Sequence, residues 1–300
     1  MLQKRVSASH VIPVSFRGDQ FFNVIVPWCF VGLFFVFVLV FLIAPAIFLV
    51  IQSFSGEQGF TWHYMVQLLT PQYRVAFRNS IILSLLSAFS AMIVGGILAY
   101  VMLRPGAPAW LRSFVTSFSA VAANFAGVPL AFAFISTLGS LGYMTILLKH
   151  LGINIYDMGF SLYSICGLTL TYSYFQIPLM LIVIIPAFES MRSQWHEAAQ
   201  NLGANSVQFW RYIGLPILAP SLLAAFLLLF GNAFSAFATP YALTDGNIAL
   251  VTIDIANVLS GNVSSDPQVG AALSTGMILV MIVVMVIYSF VSRRVTKWRR

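Results

Sequence analysis

The sequence predicts an all-α integral membrane protein with six transmembrane helices and a cytoplasmic helix–turn–helix loop between spans four and five. Hydrophobic residues make up 60% of the 300-residue chain and charged residues 8%, whereas a soluble domain has about 25% charged residues. The few charges also cluster between long apolar runs rather than within them. A soluble fold could not cover that much apolar surface, so the bilayer is the expected solvent.

Each predicted span is an apolar run long enough to cross the hydrocarbon core, which takes about 20 residues. The spans are predicted at about 24–52, 79–103, 113–138, 160–186, 215–240 and 269–292. They divide the chain into a cytoplasmic segment 1–20, a membrane domain 21–292 and a basic tail 293–300. The first run begins near Phe21 and continues for about thirty residues. It exceeds the h-region of a cleavable signal, so we expect an uncleaved span.

The second span also carries a packing signal. Ala91, Gly95 and Ala99 are spaced four residues apart, and small residues at this spacing let helix backbones approach closely in lipid. The preceding polar residues, 53–78, predict an external loop with a short helix after Thr61.

The distribution of basic residues predicts the orientation of the chain. Six spans place both termini on one side, and the positive-inside rule assigns Lys and Arg to the cytoplasm. With cytoplasmic termini, twelve of the fifteen Lys and Arg residues lie inside, and only Arg74, Arg78 and Lys149 lie outside. Segment 187–213 is therefore predicted to be cytoplasmic.

Several function classes lack their expected residues in this sequence. No Asp, Glu, Lys or Arg falls inside a predicted span, which argues against ion-coupled carriers and charged channel filters. None of the three lysines follows a Gly-rich turn before Ser or Thr, so a phosphate-binding loop is not expected. The four histidines are scattered, and neither a metal site nor a catalytic cluster is expected. The chain is thus predicted to be non-enzymatic, and any ATPase that drives it would be another chain.

The first half of segment 187–213 has the pattern of a short helix followed by a turn. Ser193 is a candidate N-cap for a helix over Gln194–Asn201. Gly203 follows, at the position where helices often end in the left-handed conformation.

The second half predicts another short helix, from Val207 to about Ile213, with Asn205 or Ser206 as its cap. Leu215 and Pro216 are expected to end it. Its apolar stripe consists of Val207, Phe209, Trp210 and Ile213. The simpler alternative for the whole segment is an amphipathic helix lying at the membrane interface.

The segment also contains an ordered motif: Glu-Ala-Ala, three residues, Gly, nine residues, Ile, one residue, Leu-Pro. The matching positions are Glu197, Ala198, Ala199, Gly203, Ile213, Leu215 and Pro216. This motif, between spans four and five, resembles the signature loop of the MetI-like inner-membrane permease subunits of binding-protein-dependent ABC importers. The six-span layout is similar to that family over most of the chain.

The resemblance implies a mechanism and a set of partners. In the family, the loop docks in a cleft of an ABC ATPase dimer, where Glu197 would pair with a basic residue and the two alanines would allow close approach. Gly203 would aim the two helices. The other implied partners are a second permease subunit, a solute-binding protein and the bilayer of the bacterial inner membrane. Nucleic acid is not an expected partner. ATP and Mg²⁺ would bind the ATPase, with no cofactor in this chain.

Polar or aromatic residues within spans are candidates for the translocation path, because polar groups in lipid usually face the bundle interior. They are Asn124, Tyr172, Tyr174, Gln176, Asn232 and Ser235. Hydrogen bonding between helices is the alternative for each. In the family that the chain resembles, the loop corresponding to 241–268 helps close the outer gate and meets the solute-binding protein. The resemblance therefore makes Asp245, Asp254 and Asp266 candidates for these roles, and a plain solvated loop is the alternative.

The solute is predicted from weaker features. Ile43–Ala46 and Asn79–Ser80 resemble permeases for polyamines, iron and phosphonates, and the acidic outer loop favours a cation such as spermidine or putrescine. The alternatives are an aminophosphonate or an iron complex in the same family. A stand-alone channel or facilitator is the alternative from another class.

Overall fold

The computed structural model describes residues 17–56, 59–104, 106–260 and 266–297. The predicted N-terminal segment lies outside the described residues up to residue 16, as do the last three residues of the basic tail. The chain forms two compact units, the first ending at Gln52 and the second beginning at Ser53.

The first unit is one long apolar helical rod. Helix α1 (Arg17–Val38) passes through a π-helical turn (Leu39–Ile43) into α2 (Ala44–Ser53). Every residue from Trp28 to Phe37 is exposed, so exposed side chains surround the helix along this stretch. A helix that is apolar all round suits a lipid environment, so this unit fits the predicted first span.

The second unit is built from twelve helices and a two-residue hairpin within the described residues. The antiparallel strands are β1 (Ser55–Gly56) and β2 (Gly59–Phe60). The helices up to the predicted cytoplasmic segment are α3 (His63–Gln67), α4 (Pro71–Met102), α5 (Ala109–Ala122), α6 (Val128–Leu138), α7 (Tyr143–His150) and α8 (Ile165–Glu189). The remainder are α9 (Ser193–Asn201), α10 (Ser206–Phe209), α11 (Leu215–Ser235), α12 (Ala238–Thr244), α13 (Val251–Leu259) and α14 (Pro267–Lys297).

The core of this unit is the packing of α4, α8 and α11. The predicted small-residue stripe is confirmed, since Ala91, Gly95 and Ala99 are all buried. A Cβ atom at Gly95 would lie 2.8 Å from the side chain of Met180 on α8. Glycine is therefore what allows the two backbones to approach this closely.

A row of hydroxyl groups follows the contact between α4 and α8. The Gln176 amide donates to Ser87 Oγ at 3.1 Å, and the hydroxyls of Ser90 and Ser173 lie 2.9 Å apart. At one end of the row, the Ser80 hydroxyl accepts from the backbone N–H of Val251 at 3.0 Å. This last bond ties the start of α13 to the bundle.

Six helices among the described residues are long and apolar enough to cross a membrane, as predicted, but several of their boundaries differ from the prediction. The helix that carries the second span begins at Pro71 rather than at residue 79, so the loop predicted over 53–78 is shorter. The short helix expected after Thr61 is present as α3. Thr70–Pro71 explains the early start, because proline is favoured in the first turn of a helix.

The third predicted span, 113–138, is wrong as a single helix. It is divided into α5 and α6 by a break at residues 123–127, and the candidate span is instead Val128–His150. Gly127 adopts φ +78°, and its N–H donates to Thr239 Oγ1 at 2.8 Å. This contact lies 112 residues away in sequence and cannot be predicted from local pattern.

The fifth predicted span ends earlier than expected. Helix α11 stops at Ser235 and α12 begins at Ala238, whereas the prediction continued to residue 240. The loop after α12 contains α13, which buries Val251, Ile253 and Val258. Because α13 packs against α4 and α14, this apolar stretch is covered by protein.

Candidate functional site

Helix α9 presents two different faces. Trp195, His196 and Ala199 lie at least partly buried on one face, while Glu197 and Ala198 are exposed on the other. The helix predicted over Gln194–Asn201 is confirmed, but it begins at Ser193 with Arg192 as its N-cap. The predicted cap is therefore wrong by one residue.

The turn after α9 is a Schellman motif, in which two backbone bonds satisfy the last carbonyl groups of a helix. The Ala204 N–H donates to Ala199 O and the Gly203 N–H to Gln200 O, both at 2.9 Å. Gly203 has φ +79°, which confirms the predicted left-handed residue. The turn fixes the angle at which α9 meets the next helix.

Asn205 caps the helix that follows. Its side chain accepts from the Gln208 N–H at 2.8 Å, and the Gln208 side chain accepts from the Asn205 N–H at 2.9 Å. This reciprocal pair is a capping box, so the structure selects Asn205 from the two predicted caps. Within the apolar stripe predicted for this helix, Val207 is 74% exposed, whereas Phe209 is buried.

The helix does not end at Leu215–Pro216, contrary to the prediction. A π-helical turn over Trp210–Gly214 carries α10 directly into α11. In this turn the Leu215 N–H bonds to Trp210 O, five residues back. The wider turn accommodates Pro216 at the start of α11, where its missing N–H is tolerated.

An aromatic cluster joins this loop to the ends of three long helices. The His196 ring meets Phe209 edge-on at 4.7 Å between centroids, and Trp210 meets Tyr100 of α4 at 4.9 Å. Phe188 of α8 lies 6.3 Å from Trp210. Because Trp210 also precedes α11, it contacts or adjoins α4, α8 and α11.

Gly214 makes room for the indole of Trp210. A Cβ atom at this position would lie 2.6 Å from the six-membered part of the indole ring. Such a contact is closer than real Cβ atoms allow, so the ring would have to move. Gly214 is the unspecified residue between Ile213 and Leu215 in the motif, and sequence reasoning assigned it no role.

The outer surface of the loop is partly apolar. Leu202 is 88% exposed and Tyr212 is 69% exposed. Together with Val207 they form what we call the apolar loop patch. The sequence analysis did not identify this surface, although apolar residues on both sides of the Gly203 turn were a usable signal. Of the remaining motif residues, Ile213 is half-buried, and Leu215 and Pro216 are exposed.

Beside this loop, the Arg112 guanidinium of α5 forms an ion pair with the Glu189 carboxylate at the end of α8. Both side chains are substantially exposed, so the pair contributes at most about 1 kcal/mol to stability. The ion pair instead helps to position the helices, because it holds the start of α5 against the end of α8.

The predicted path residues separate into buried and exposed groups. Tyr172 and Gln176 are at most 1% exposed and lie inside the packing of this chain. Asn124, Tyr174, Asn232 and Ser235 are exposed. Because Tyr172 and Gln176 are buried, they fit the alternative role in contacts between helices. The other four residues face away from the core.

The exposed group lies near the two helix breaks. Asn232 borders a cleft of about 180 Å³ with Gly127 and Thr239. Ser235 lies one turn along α11, and Asn124 lies in the break after α5, where its amide donates to Ala120 O at 2.8 Å.

Tyr174 lies in a second cleft, of about 390 Å³. Its ring meets Phe125 and Phe134 at centroid distances of 6.2 and 6.0 Å. This cleft therefore has an aromatic lining beside the break between α5 and α6.

The three predicted outer-loop carboxylates have different environments. Asp245 closes α12 with φ +50° and borders a pocket of about 380 Å³. Asp266 accepts from the Gln268 N–H at 3.2 Å at the start of α14. Burial raises the pKa of Asp254 to about 6, and its Oδ2 is buried without a hydrogen-bond partner. No cluster of three metal-binding side chains occurs in the described part of the chain.

Comparison with known proteins extends these observations. The family model described as "Binding-protein-dependent transport system inner membrane component" matches residues 92–297. The Mycoplasma pneumoniae protein named "Spermidine/putrescine transport system permease protein PotC homolog" is 24% identical over 254 residues, covering 77% of this chain and 80% of that protein. The sulfate permease CysT of Salmonella typhimurium is 28% identical over 222 residues, covering 72% and 74%. The thiamine permease ThiP of Escherichia coli is 26% identical over 218 residues, covering 73% of this chain but 37% of ThiP.

Solved structures show the same fold. A chain of a bacterial ABC transporter that imports the acidic polysaccharide alginate superposes with a TM-score of 0.70 at 19% identity, covering 93% of this chain and 99% of that chain. A chain of the inward-facing MetNI methionine transporter gives 0.56 at 16% identity, covering 76% and 98%. The fold and the family match over most of its length agree: this chain belongs to the inner-membrane components of binding-protein-dependent transport systems, the permease subunits of ABC importers.

Proposed function

We propose that this permease receives mechanical work from a partner ABC ATPase through the segment 190–213. The observation that carries the proposal is the construction of the segment. Helix α9 has an exposed outer face, a fixed turn at Gly203 and an aromatic connection through Trp210 to α4 and α8. An unanchored interfacial helix would not need that connection.

The outer face has the chemistry for docking on a protein cleft. Glu197 is exposed, and within the described residues its carboxylate forms no ion pair. It is therefore free to pair with a basic residue at the rim of the cleft. Ala198 permits close backbone approach, and the apolar loop patch supplies area that would be covered on docking.

The aromatic cluster supplies the path for motion. When two ATPase subunits close on ATP and Mg²⁺, the docked α9 is displaced. His196 pushes on Phe209, and Trp210 transmits the displacement to the ends of α4 and α8. Because α4, α8 and α11 are tightly packed, we expect them to move as one body, as in rigid-body switching.

Charge reversal at Glu197 tests this role. In the complete importer reconstituted in liposomes, Glu197→Lys should lower uptake per ATP hydrolysed several-fold while the protein remains in the membrane. Asp157→Lys, the same charge change in the loop between α7 and α8, is the control and should leave uptake unchanged. Normal coupled uptake by Glu197→Lys would contradict the proposal. Uptake without any ATPase would instead favour the stand-alone channel.

The translocation path is proposed to run along Asn124, Tyr174, Asn232 and Ser235, facing a second permease subunit. Their exposure beside the two clefts supports this assignment. Tyr172 and Gln176, which were also path candidates, are better explained as packing residues in this conformation. Cysteines introduced at Asn232 should react with a small thiol reagent at a rate that changes when ATP is added, and an unchanging rate would count against the assignment.

For the solute, we propose a polyamine such as spermidine or putrescine. The relatives named as spermidine/putrescine permeases and the three outer-loop aspartates support a cation. Relatives named for thiamine and sulfate are similarly distant, so transport should be measured directly. Uptake of radiolabelled spermidine with the cognate binding protein should exceed uptake of sulfate, an aminophosphonate or an iron complex, and the reverse ranking would refute the assignment.

The orientation is likewise a proposal, with both termini and the 190–213 segment in the cytoplasm. It rests on the positions of the basic residues. A reporter that works only in the cytoplasm should be active when fused to the C-terminus, and one that works only in the periplasm should be inactive there. Activity of the periplasmic reporter would mean that the orientation is reversed.

A further inference from the structure

A groove with a basic rim and an apolar floor lies between α4 and α14. Its volume is about 720 Å³, and it is lined by the first turns of α4, the residues just before them and one face of α14. Arg74 and Arg78 form the rim, and Ile81 and Val280 continue the lining below them. The groove belongs to neither the 190–213 segment nor the clefts beside the helix breaks.

The two arginines share one face of α4, because they are four residues apart. Both are exposed. Among the described residues, Arg112 pairs with Glu189, and neither rim arginine forms an ion pair with a carboxylate. No Asp or Glu lines the groove. Two unpaired guanidinium groups at adjacent turns are suited to a phosphate, which arginine binds in a bidentate fashion.

The height of the pair in the bilayer also fits a lipid phosphate. The charge-free run of α4 begins at Asn79, so Arg78 and Arg74 lie within about 8 Å of the hydrocarbon boundary, at about 1.5 Å per helical residue. Phosphate groups of the lipids occupy this interfacial layer. Below it the groove continues along α4 to Ile81, beside which an acyl chain would lie.

The floor of the groove is a built feature rather than a gap between helices. A Cβ atom at Gly276 of α14 would lie 2.7 Å from both the Leu68 and the Phe77 side chains. The glycine therefore allows these two apolar side chains to pack onto α14 and close the bottom of the groove. A site for free phosphate would not need an apolar floor of this kind.

We propose that this groove binds one anionic phospholipid, with its phosphate between Arg74 and Arg78 and an acyl chain along Ile81 and Val280. The basic rim and the apolar floor complement the two halves of such a molecule. Each arginine near a membrane surface contributes about fivefold in affinity for an anionic lipid. Phosphatidylglycerol should therefore bind about twenty-five-fold tighter than phosphatidylcholine. The inference is independent of the role proposed for the 190–213 segment.

The test uses the purified full-length chain in its importer complex, delipidated in a neutral detergent. Binding of dioleoyl phosphatidylglycerol and of dioleoyl phosphatidylcholine is measured by native mass spectrometry, with inorganic phosphate as a third probe. Arg74→Gln with Arg78→Gln should abolish the preference for phosphatidylglycerol. Arg293→Gln, an exposed arginine near the other end of α14, is the matched control and should retain it.

A second variant separates the apolar floor from the charge. Val75→Trp fills the groove but leaves both arginines, and it should also lower the bound phosphatidylglycerol several-fold. Equal binding of the two lipids overturns the inference, as does a preference that survives loss of both arginines. Binding of inorganic phosphate without binding of phosphatidylglycerol also overturns it. Cross-linking that shows a second protein chain seated in the groove would overturn it as well.

Discussion

Replacing Gly203 by valine isolates the conformational requirement of the turn after α9. Gly203 has φ +79°, and a Cβ atom added there would meet no atom within 4 Å. The substitution therefore creates no clash, and its effect comes from the backbone alone. An L-residue in the left-handed region costs about 1–2 kcal/mol, and a β-branched side chain lies at the unfavourable end of that range.

That energy acts on a small structural unit. The turn is held by the two backbone bonds from Ala204 and Gly203, and α9 has only a narrow buried face. A change of 1–2 kcal/mol alters a local equilibrium by about five- to thirty-fold. We therefore expect Gly203→Val to lower the ratio of correctly aimed to misaimed α9 by about this factor, and to lower uptake per ATP hydrolysed as a result.

The assay compares ATP hydrolysis and solute uptake in proteoliposomes that contain the complete importer. Gly203→Asn should be milder than Gly203→Val, because asparagine tolerates the left-handed region better. Gly152→Val is the matched control, since Gly152 has φ +82° and equally open space but lies in the loop after α7. If Gly203→Val retains wild-type coupling, or if Gly152→Val uncouples to the same extent, the reasoning about this turn is refuted.

Three further predictions concern packing, transmission and pH. Gly95→Ala should destabilise the protein by about 1–3 kcal/mol through overpacking, whereas Gly96→Ala, which meets open space, should change the melting temperature little. Gly214→Ala should lower coupled uptake by displacing the Trp210 indole, while co-purification of the ATPase stays unchanged. Because burial raises the pKa of Asp254 to about 6, its ionisation destabilises the fold as pH rises from 4 through 6. Asp254→Asn should remove that dependence, so thermal melting curves of variant and wild type should diverge at higher pH; parallel curves would contradict the assignment.

The features that could be predicted from the sequence are those encoded locally. Long charge-free runs identify spans because the hydrocarbon core tolerates little else. Gly203 was predictable because a glycine just after a helix favours the left-handed cap. Asn205 was predictable within one residue because few side chains cap a helix well. The stripe containing Gly95 was predictable from its spacing.

The remaining features depend on contacts between distant parts of the chain. The break at Gly127 is stabilised by Thr239, and no sequence pattern near residue 127 identifies that partner. The continuation through Pro216 depends on a π-helical turn whose space is provided by Gly214 beneath Trp210. Burial within spans was equally hidden, since Tyr172 is buried while Tyr174, two residues later, is exposed.

Tight and loose regions of the second unit are arranged in a way that suits a transmitted motion. The contact of α4 with α8 combines buried small residues with the hydrogen bonds of Ser87 and Gln176, so sliding one helix past the other would break many contacts at once. At residues 123–127 and 236–237, by contrast, regular helical structure is interrupted, so the chain can bend there more easily than within a packed helix. A displacement delivered at Trp210 should therefore carry α4, α8 and α11 together and be absorbed at the breaks. The exposed path candidates lie beside those breaks, which is where a small rotation of the packed helices would most change the width of a passage.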